Sequence, residues 1–285
     1  MREEKEMTTD LKVREVSVGR ASPLVLIAGP CVIENEESSL RAAEAIKKIA
    51  AGLQMGFIFK SSYTKDNRSK ATAYAGPGLD VGLRILEKVK REIGVPVLSD
   101  VHCRSEVDAA AEVLDVLQIP AYLSQQTGLA LAVGTAGKPV NIKKEQFIGP
   151  KEMKNSIGKI EHTGNRKIML TERGSCFGYN SLVVDMRSFP ILASFGYPVI
   201  FDVTHSVRIY GTPSSESTGG EPQYVPHLAR AAVAAGCDGI FIEVHEDPQQ
   251  AKCDACSMLP ISYLEELLKE LKEIDEIVRA KRMEE

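Results

Sequence analysis

A short apolar run, a polar loop and an amphipathic stretch recur eight times along this chain, at intervals of roughly 25 to 40 residues. The apolar runs are Leu24–Ala28, Gly56–Lys60, Pro96–Asp100, Val113–Ile119, Val140–Lys144, Lys167–Thr171, Pro198–Val203 and Gly239–Val244. Runs this short and apolar read as strands buried on both faces, the signature of a parallel sheet. Helical periodicity follows at Ser38–Ala51, Val81–Glu92, Ser105–Ala111 and Val225–Ala235. Eight strand–helix units predict an α/β chain folded as a (β/α)8 TIM barrel; an open doubly wound sheet usually uses fewer. Alternation over Lys12–Val18 adds a short strand before the barrel, after a charged tail over residues 1–10. The expected organisation is a tail and strand over residues 1–20 and one catalytic domain over 21–285, because no Pro-, Gly- or Ser-rich linker divides the chain. The charged Tyr263–Glu285 segment reads as a last long helix with a solvated face.

Composition narrows the classes of function. The 285 residues carry a net charge of −4 with no basic patch, which argues against nucleic acid as a partner. No apolar run approaches a membrane span, and the polar start of the chain is unlike a signal peptide. Six scattered cysteines then suggest reduced thiols and a cytoplasmic location.

In a barrel, catalysis sits where the strands end, and here the strand ends are polar. They carry Cys31, Lys60, Asp100-Val101-His102, Gln118, Asn141 and Lys143-Lys144, Glu172-Arg173, Asp202 with His205, and Glu243 with His245. Cys31, His205, Glu243 and a loop acid such as Asp254 make a mixed S/N/O set suited to Zn²⁺, Fe²⁺ or Mn²⁺. Lys60, Lys65, Arg68, Lys143 and Arg173 make a second, cationic set suited to anionic small molecules. The C-x-x-C of Cys253 and Cys256 lies in a loop with no second such pair, and reads as coincidental.

These residues fall in longer matching stretches: AGPCVIE from Ala28, Lys65-Asp66-Asn67-Arg68-Ser69, SDVH from Ser99, VLQIPA from Val116, TERG from Thr171, FDVTHSV from Phe201 and FIEVH from Phe241. Over roughly residues 24 to 270 the chain resembles the metal-dependent 3-deoxy-D-manno-octulosonate-8-phosphate synthases. The resemblance implies a transferase that condenses phosphoenolpyruvate with D-arabinose 5-phosphate and water, releasing phosphate, in lipopolysaccharide biosynthesis. It places Lys60, Lys65, Asp100, Lys143 and His205 in the catalytic set. It gives Lys65, Lys143 and Arg173 the phosphoenolpyruvate anions, with backbone around Pro120 and Ala121. Asn67, Arg68 and Ser69 would take the sugar phosphate, and Gln118 would contact substrate. Cys31, His205, Glu243 and Asp254 match the ligands of a divalent metal ion. A homotetramer is implied as well.

Three positions depart from the family pattern. Ser124-Gln125-Gln126-Thr127-Gly128 stands where the family has Cys-Arg-Gln-Thr-Asp, Gly219-Gly220-Glu221-Pro222 where it has Gly-Gly-x-Arg, and Asp66 where it has Ala. Two cations are missing and a carboxylate is added beside an anion site. These changes keep open a synthase that uses another sugar phosphate, such as erythrose 4-phosphate, and a weakened homologue that only binds.

Overall fold

A computed structural model describes residues 10–68, 70–176, 180–213 and 216–284; residues 1–9 of the expected tail and Ser69 lie outside the described residues. In chain order the elements are β1 (Leu11–Val13), β2 (Val16–Val18), β3 (Val25–Gly29), α1 (Glu36–Gly52), β4 (Phe57–Lys60), α2 (Leu79–Glu92) and β5 (Val97–Asp100). Then follow α3 (Val107–Val113), β6 (Val116–Ile119), α4 (Thr127–Thr135), β7 (Val140–Lys143), α5 (Met153–Glu161) and β8 (Ile168–Glu172). The chain continues with β9 (Ser175–Cys176), β10 (Leu182–Val183), α6 (Ser188–Ala193), β11 (Val199–Asp202), α7 (Val203–Ser206) and α8 (Val225–Ala234). It closes with β12 (Gly239–His245), β13 (Leu259–Pro260) and α9 (Ile261–Glu284).

Strands β3 to β8 pair in parallel in sequence order, β11 pairs with β8, and β12 bridges β11 and β3. The sheet therefore closes into the eight-stranded barrel that the apolar repeats predict. Strand periodicity divides the core in two. Val25, Ile27, Ile58, Leu98, Val116, Met169, Ile200 and Phe241 fill the barrel, while Leu24, Leu26, Phe59, Leu117 and Leu170 pack outward against the helices.

Lys12–Val18 is not one strand. Arg14, at φ 52°, turns the chain into a hairpin that pairs Val13 with Val16 and Leu11 with Val18. Leu11, Val13 and Val18 join the inner core cluster, so the hairpin covers apolar residues at the barrel's N-terminal end. The alternation was genuine on both sides of the turn, and a two-residue turn does not interrupt it. The fourth strand starts at Val116 rather than Val113, which closes α3. The seventh stops at Asp202, whose carboxylate caps α7 by accepting the His205 N–H (3.1 Å). Helix α9 has the expected solvated face and buries the other: Leu264, Leu267, Leu268 and Leu271 are buried at helical spacing, and it packs on α8 and α1. No helix among the described residues is long and apolar enough to cross a membrane.

Candidate active site

Gly29 lets β3 end beside β4. It sits at φ 155°, and a Cβ there would lie 2.1 Å from the Lys60 carbonyl oxygen, so only glycine allows this approach. Two residues on, Cys31 is fully buried, and its carbonyl accepts from Lys60 Nζ at 3.0 Å. Lys60 Nζ also reaches Glu243 Oε1 at 2.6 Å; both side chains are 1% exposed.

The four acids and bases of the predicted mixed set meet at this end of the barrel. The Cys31 thiol donates to Asp254 Oδ2 at 3.0 Å. His205 Nε2 lies 3.7 Å from both Glu243 Oε2 and Asp254 Oδ2. Glu243 Oε2 is buried with no hydrogen-bond partner, facing this gap. Potential donor atoms of His205, Glu243 and Asp254 lie within 4.8 Å of one another, as do those of Cys31, Cys253 and Asp254. An orphaned carboxylate oxygen, an imidazole nitrogen and a thiol converging on Asp254 fit a divalent cation. Cys253 belongs to this group, which the reading of the C-x-x-C as coincidence misses. Cys256 is buried apart from it, against Gly219 and Gly220.

Asp202, one polar strand end among several in the sequence, is a site residue in the structure. Its carboxylate lies 2.8 Å from His205 Nδ1 and 2.5 Å from Lys143 Nζ. The first contact fixes the orientation of the imidazole and turns Nε2 toward Glu243 and Asp254. The second ties the cationic set to the mixed set. The sequence signal was an acid at the end of a strand, three residues before a histidine.

The cationic residues line a cleft of about 660 Å³ with Asp66, Asn67, Asp100, His102, Pro120, Ala121, Tyr122 and His205: Lys65, Lys143 and Arg173. Lys65 Nζ lies 3.8 Å from Asp100 and 3.9 Å from Glu243. Lys143 Nζ stands 3.9 Å from the centre of the Phe241 ring. Arg173 donates to the Tyr210 hydroxyl (2.9 Å) and Gln146 Oε1 (3.3 Å), two partners the sequence did not reveal. Gln118 sits behind the cleft, fully buried, with its amide nitrogen on Asp100 and its amide oxygen accepting from Asn141. A second lobe of about 890 Å³ shares Lys65, Asn67 and Arg173 and adds Arg68, Arg208, Tyr210 and Lys252. Exposed Arg68 donates to the carbonyls of Ala71 and Ala73 at 3.0 and 2.9 Å, which shapes the loop that carries Asn67.

Charge states follow from this packing. Burial opposes ionisation of Asp254, yet His205, 3.7 Å away, and Arg208 hold its carboxyl well below the usual range. Burial likewise opposes ionisation of Asp100, Asp202 and Glu243, and the surrounding lysines and His205 outweigh it. Burial pushes the Cys31 thiol well up, reinforced by Cys253 and Asp254, so without a cation Cys31 keeps its proton. Lys143 is pushed down by burial, which Asp202 only partly opposes.

The four depressed carboxylates contribute stability that is present above their unfolded pKa and lost as pH falls. The thermal midpoint is therefore expected to fall steeply below about pH 4. Asp238, pushed up to about 6 by burial, works in the opposite sense: its contribution is lost as pH rises through that value. Burial raises Asp275 in the same way, and two such groups against four do not reverse the acid limb. A midpoint unchanged down to about pH 3 in a calorimetric series would count against these charge assignments.

A barrel whose open end sets an anion cleft beside a thiol, imidazole and carboxylate cluster defines the class: an α/β-barrel enzyme site for anionic small molecules. The DAHP synthetase I family model matches residues 3–280, and the chain belongs to that family. A Trichlorobacter lovleyi protein named 2-dehydro-3-deoxyphosphooctonate aldolase is 56% identical over 273 residues, covering 96% of this chain and 100% of its own. A protein of the same name from Citrifermentans bemidjiense is 57% identical over 272 residues, covering 95% and 99%. One from Geobacter metallireducens is 54% identical over 273 residues, covering 96% and 100%.

Proposed function

We propose that this protein is a 3-deoxy-D-manno-octulosonate-8-phosphate synthase, condensing phosphoenolpyruvate with D-arabinose 5-phosphate and water and releasing phosphate. The observation that carries the reading is one cleft holding Lys65, Lys143 and Arg173 against His205, with Glu243 and Asp254 within 3.7 Å of its imidazole. The names of the full-length relatives agree with it.

In this reading Lys65, Lys143 and Arg173 bind the phosphate and carboxylate of phosphoenolpyruvate, and Lys60 adds positive potential from below. C3 of the enol attacks the sugar aldehyde, water adds at C2, and the C2–O bond to phosphate breaks. Charge builds on the tetrahedral intermediate, where preorganised cations lower the barrier most. Asp100, held ionised by Lys65, sits where it can orient the sugar, with Gln118 supporting its carboxylate. Asp202 keeps the His205 ring in place. Cys31, His205, Glu243 and Asp254 would hold a divalent ion such as Fe²⁺, Zn²⁺ or Mn²⁺, which supplies Lewis-acid polarisation or orients water.

The sugar phosphate fits the second lobe. The side chain of Gln125 turns away to Glu145 (2.7 Å), while Arg68, Arg208 and Lys252 line that lobe. They supply the positive charge that Gln125 and Pro222 do not. Exposed Asp66 opposes it. The same reading carries a cytoplasmic homotetramer, and the exposed Phe147 and Tyr122 near the cleft suit a contact with a second copy.

The test is phosphate release by purified protein given phosphoenolpyruvate, arabinose 5-phosphate and each divalent ion in turn. The expected result is turnover and a product of the mass of the eight-carbon sugar-acid phosphate. No turnover with any ion overturns the reading, and faster turnover with erythrose 4-phosphate moves it to that substrate.

A further inference from the structure

Consecutive residues of extended chain point to opposite sides, and Lys143, the last residue of β7, is followed directly by Lys144. Lys143 turns into the cleft. Lys144 turns the other way and is fully buried between the loops that follow β7 and β8. Its ammonium donates to the carbonyls of Glu145 (3.2 Å), Ile148 (3.3 Å) and Gly174 (3.2 Å) and to the Ser175 hydroxyl (3.0 Å). It also lies 3.4 Å from Glu172 Oε1. That same carboxylate oxygen accepts the backbone N–H groups of Arg173 (2.9 Å) and Gly174 (2.7 Å).

A buried ammonium and carboxylate are expensive to keep, and apolar residues of similar volume would often serve stability as well or better. What this pair does specifically is define a turn. Glu172 gathers the two amides that follow it, Gly174 takes φ 88°, and Lys144 ties the turn to the neighbouring loop. The Cys176 N–H donates to the Gln146 carbonyl (2.8 Å), and the Gln146 side chain in turn meets the Arg173 guanidinium. Neither Lys144 nor Glu172 lines the cleft; Arg173, held between them and Gln146, does.

We propose that Lys144 and Glu172 are positioning residues, a buried ion pair that aims the Arg173 guanidinium at the anionic substrate. The proposal rests on the reading of Arg173 as a phosphoenolpyruvate ligand. Its mechanism is geometric: a displaced guanidinium loses paired contacts with a carboxylate or phosphate, while the barrel beneath it stays folded.

Lys144→Met alone would leave Glu172 charged and unpaired, so the paired change Lys144→Met/Glu172→Gln is the informative variant; it removes both charges and keeps an acceptor at residue 172. The expected result is a folded protein whose calorimetric affinity for phosphoenolpyruvate falls about tenfold, with KM raised to match and kcat changed less than about threefold. In an Arg173→Ala background the paired change should weaken binding by less than about twofold further. A full tenfold loss in that background, or unchanged affinity in the paired variant, overturns the proposal. If the wild-type protein binds no phosphoenolpyruvate, the functional reading fails, and amide exchange then decides on the pair. Faster exchange confined to residues 173–176 supports its positioning role, and unchanged exchange there ends it.

Discussion

Lys60→Met is expected to destabilise the chelator-treated protein by about 3–5 kcal/mol, the range for breaking a buried ion pair on one side. Lys60 and Glu243 are each 1% exposed and 2.6 Å apart, so removing the ammonium leaves a carboxylate with no solvent to receive its charge. Lys65, 3.9 Å from the same oxygen, offsets part of that loss. The carbonyl of Cys31 also loses its donor. The paired change Lys60→Met/Glu243→Gln should recover most of the stability, because no uncompensated charge remains, and still be inactive. Denaturant unfolding of the three proteins decides the matter. Equal stability of the single and paired variants would show that Glu243 is not left charged, and would remove the electrostatic account of this end of the barrel.

On the proposed reading of Cys31 as a metal ligand, Cys31→Asn is expected to keep the fold and lose both metal and turnover. The asparagine amide can donate to Asp254 as the thiol does at 3.0 Å, so the thermal midpoint should stay near that of the parent. Changes to groups that merely support metal ligands lower affinity or activity by about 10- to 100-fold, so removing a ligand should exceed about a hundredfold. Metal content by mass spectrometry and phosphate release from the same preparation give the two readouts. Full activity in a metal-free Cys31→Asn protein would mean that the Lys60, Lys65, Lys143 and Arg173 set suffices for the reaction and that Cys31 is not needed as a ligand.

Much of this site was visible as residue types at strand ends. Cys31, Lys60, Asp100, Lys143, Arg173 and Glu243 follow apolar runs directly, and the barrel brings all of them to one end. Asp202 was legible only as one more polar strand end, because its role depends on reaching Lys143, 59 positions away. Cys253 cannot be told from Cys256 in the sequence, because spacing alone does not say that one sulfur faces Cys31 while the other packs on Gly219 and Gly220. Lys144 could not be told from Lys143 in the sequence, since their difference is which side of β7 each leaves.

Read alone, the sequence determined the alternation of buried strands and helices, because apolar periodicity is a local property set by backbone geometry. It also determined which strand ends carry ionisable groups. Only the tertiary structure decided which of those groups meet. Closure through the β12 pairings with β11 and β3 sets Glu243 beside Lys60, 183 positions away, and brings Asp254 to Cys31, 223 positions away. Those contacts hold the charges in place, because burial makes each one depend on a partner supplied by another strand or loop.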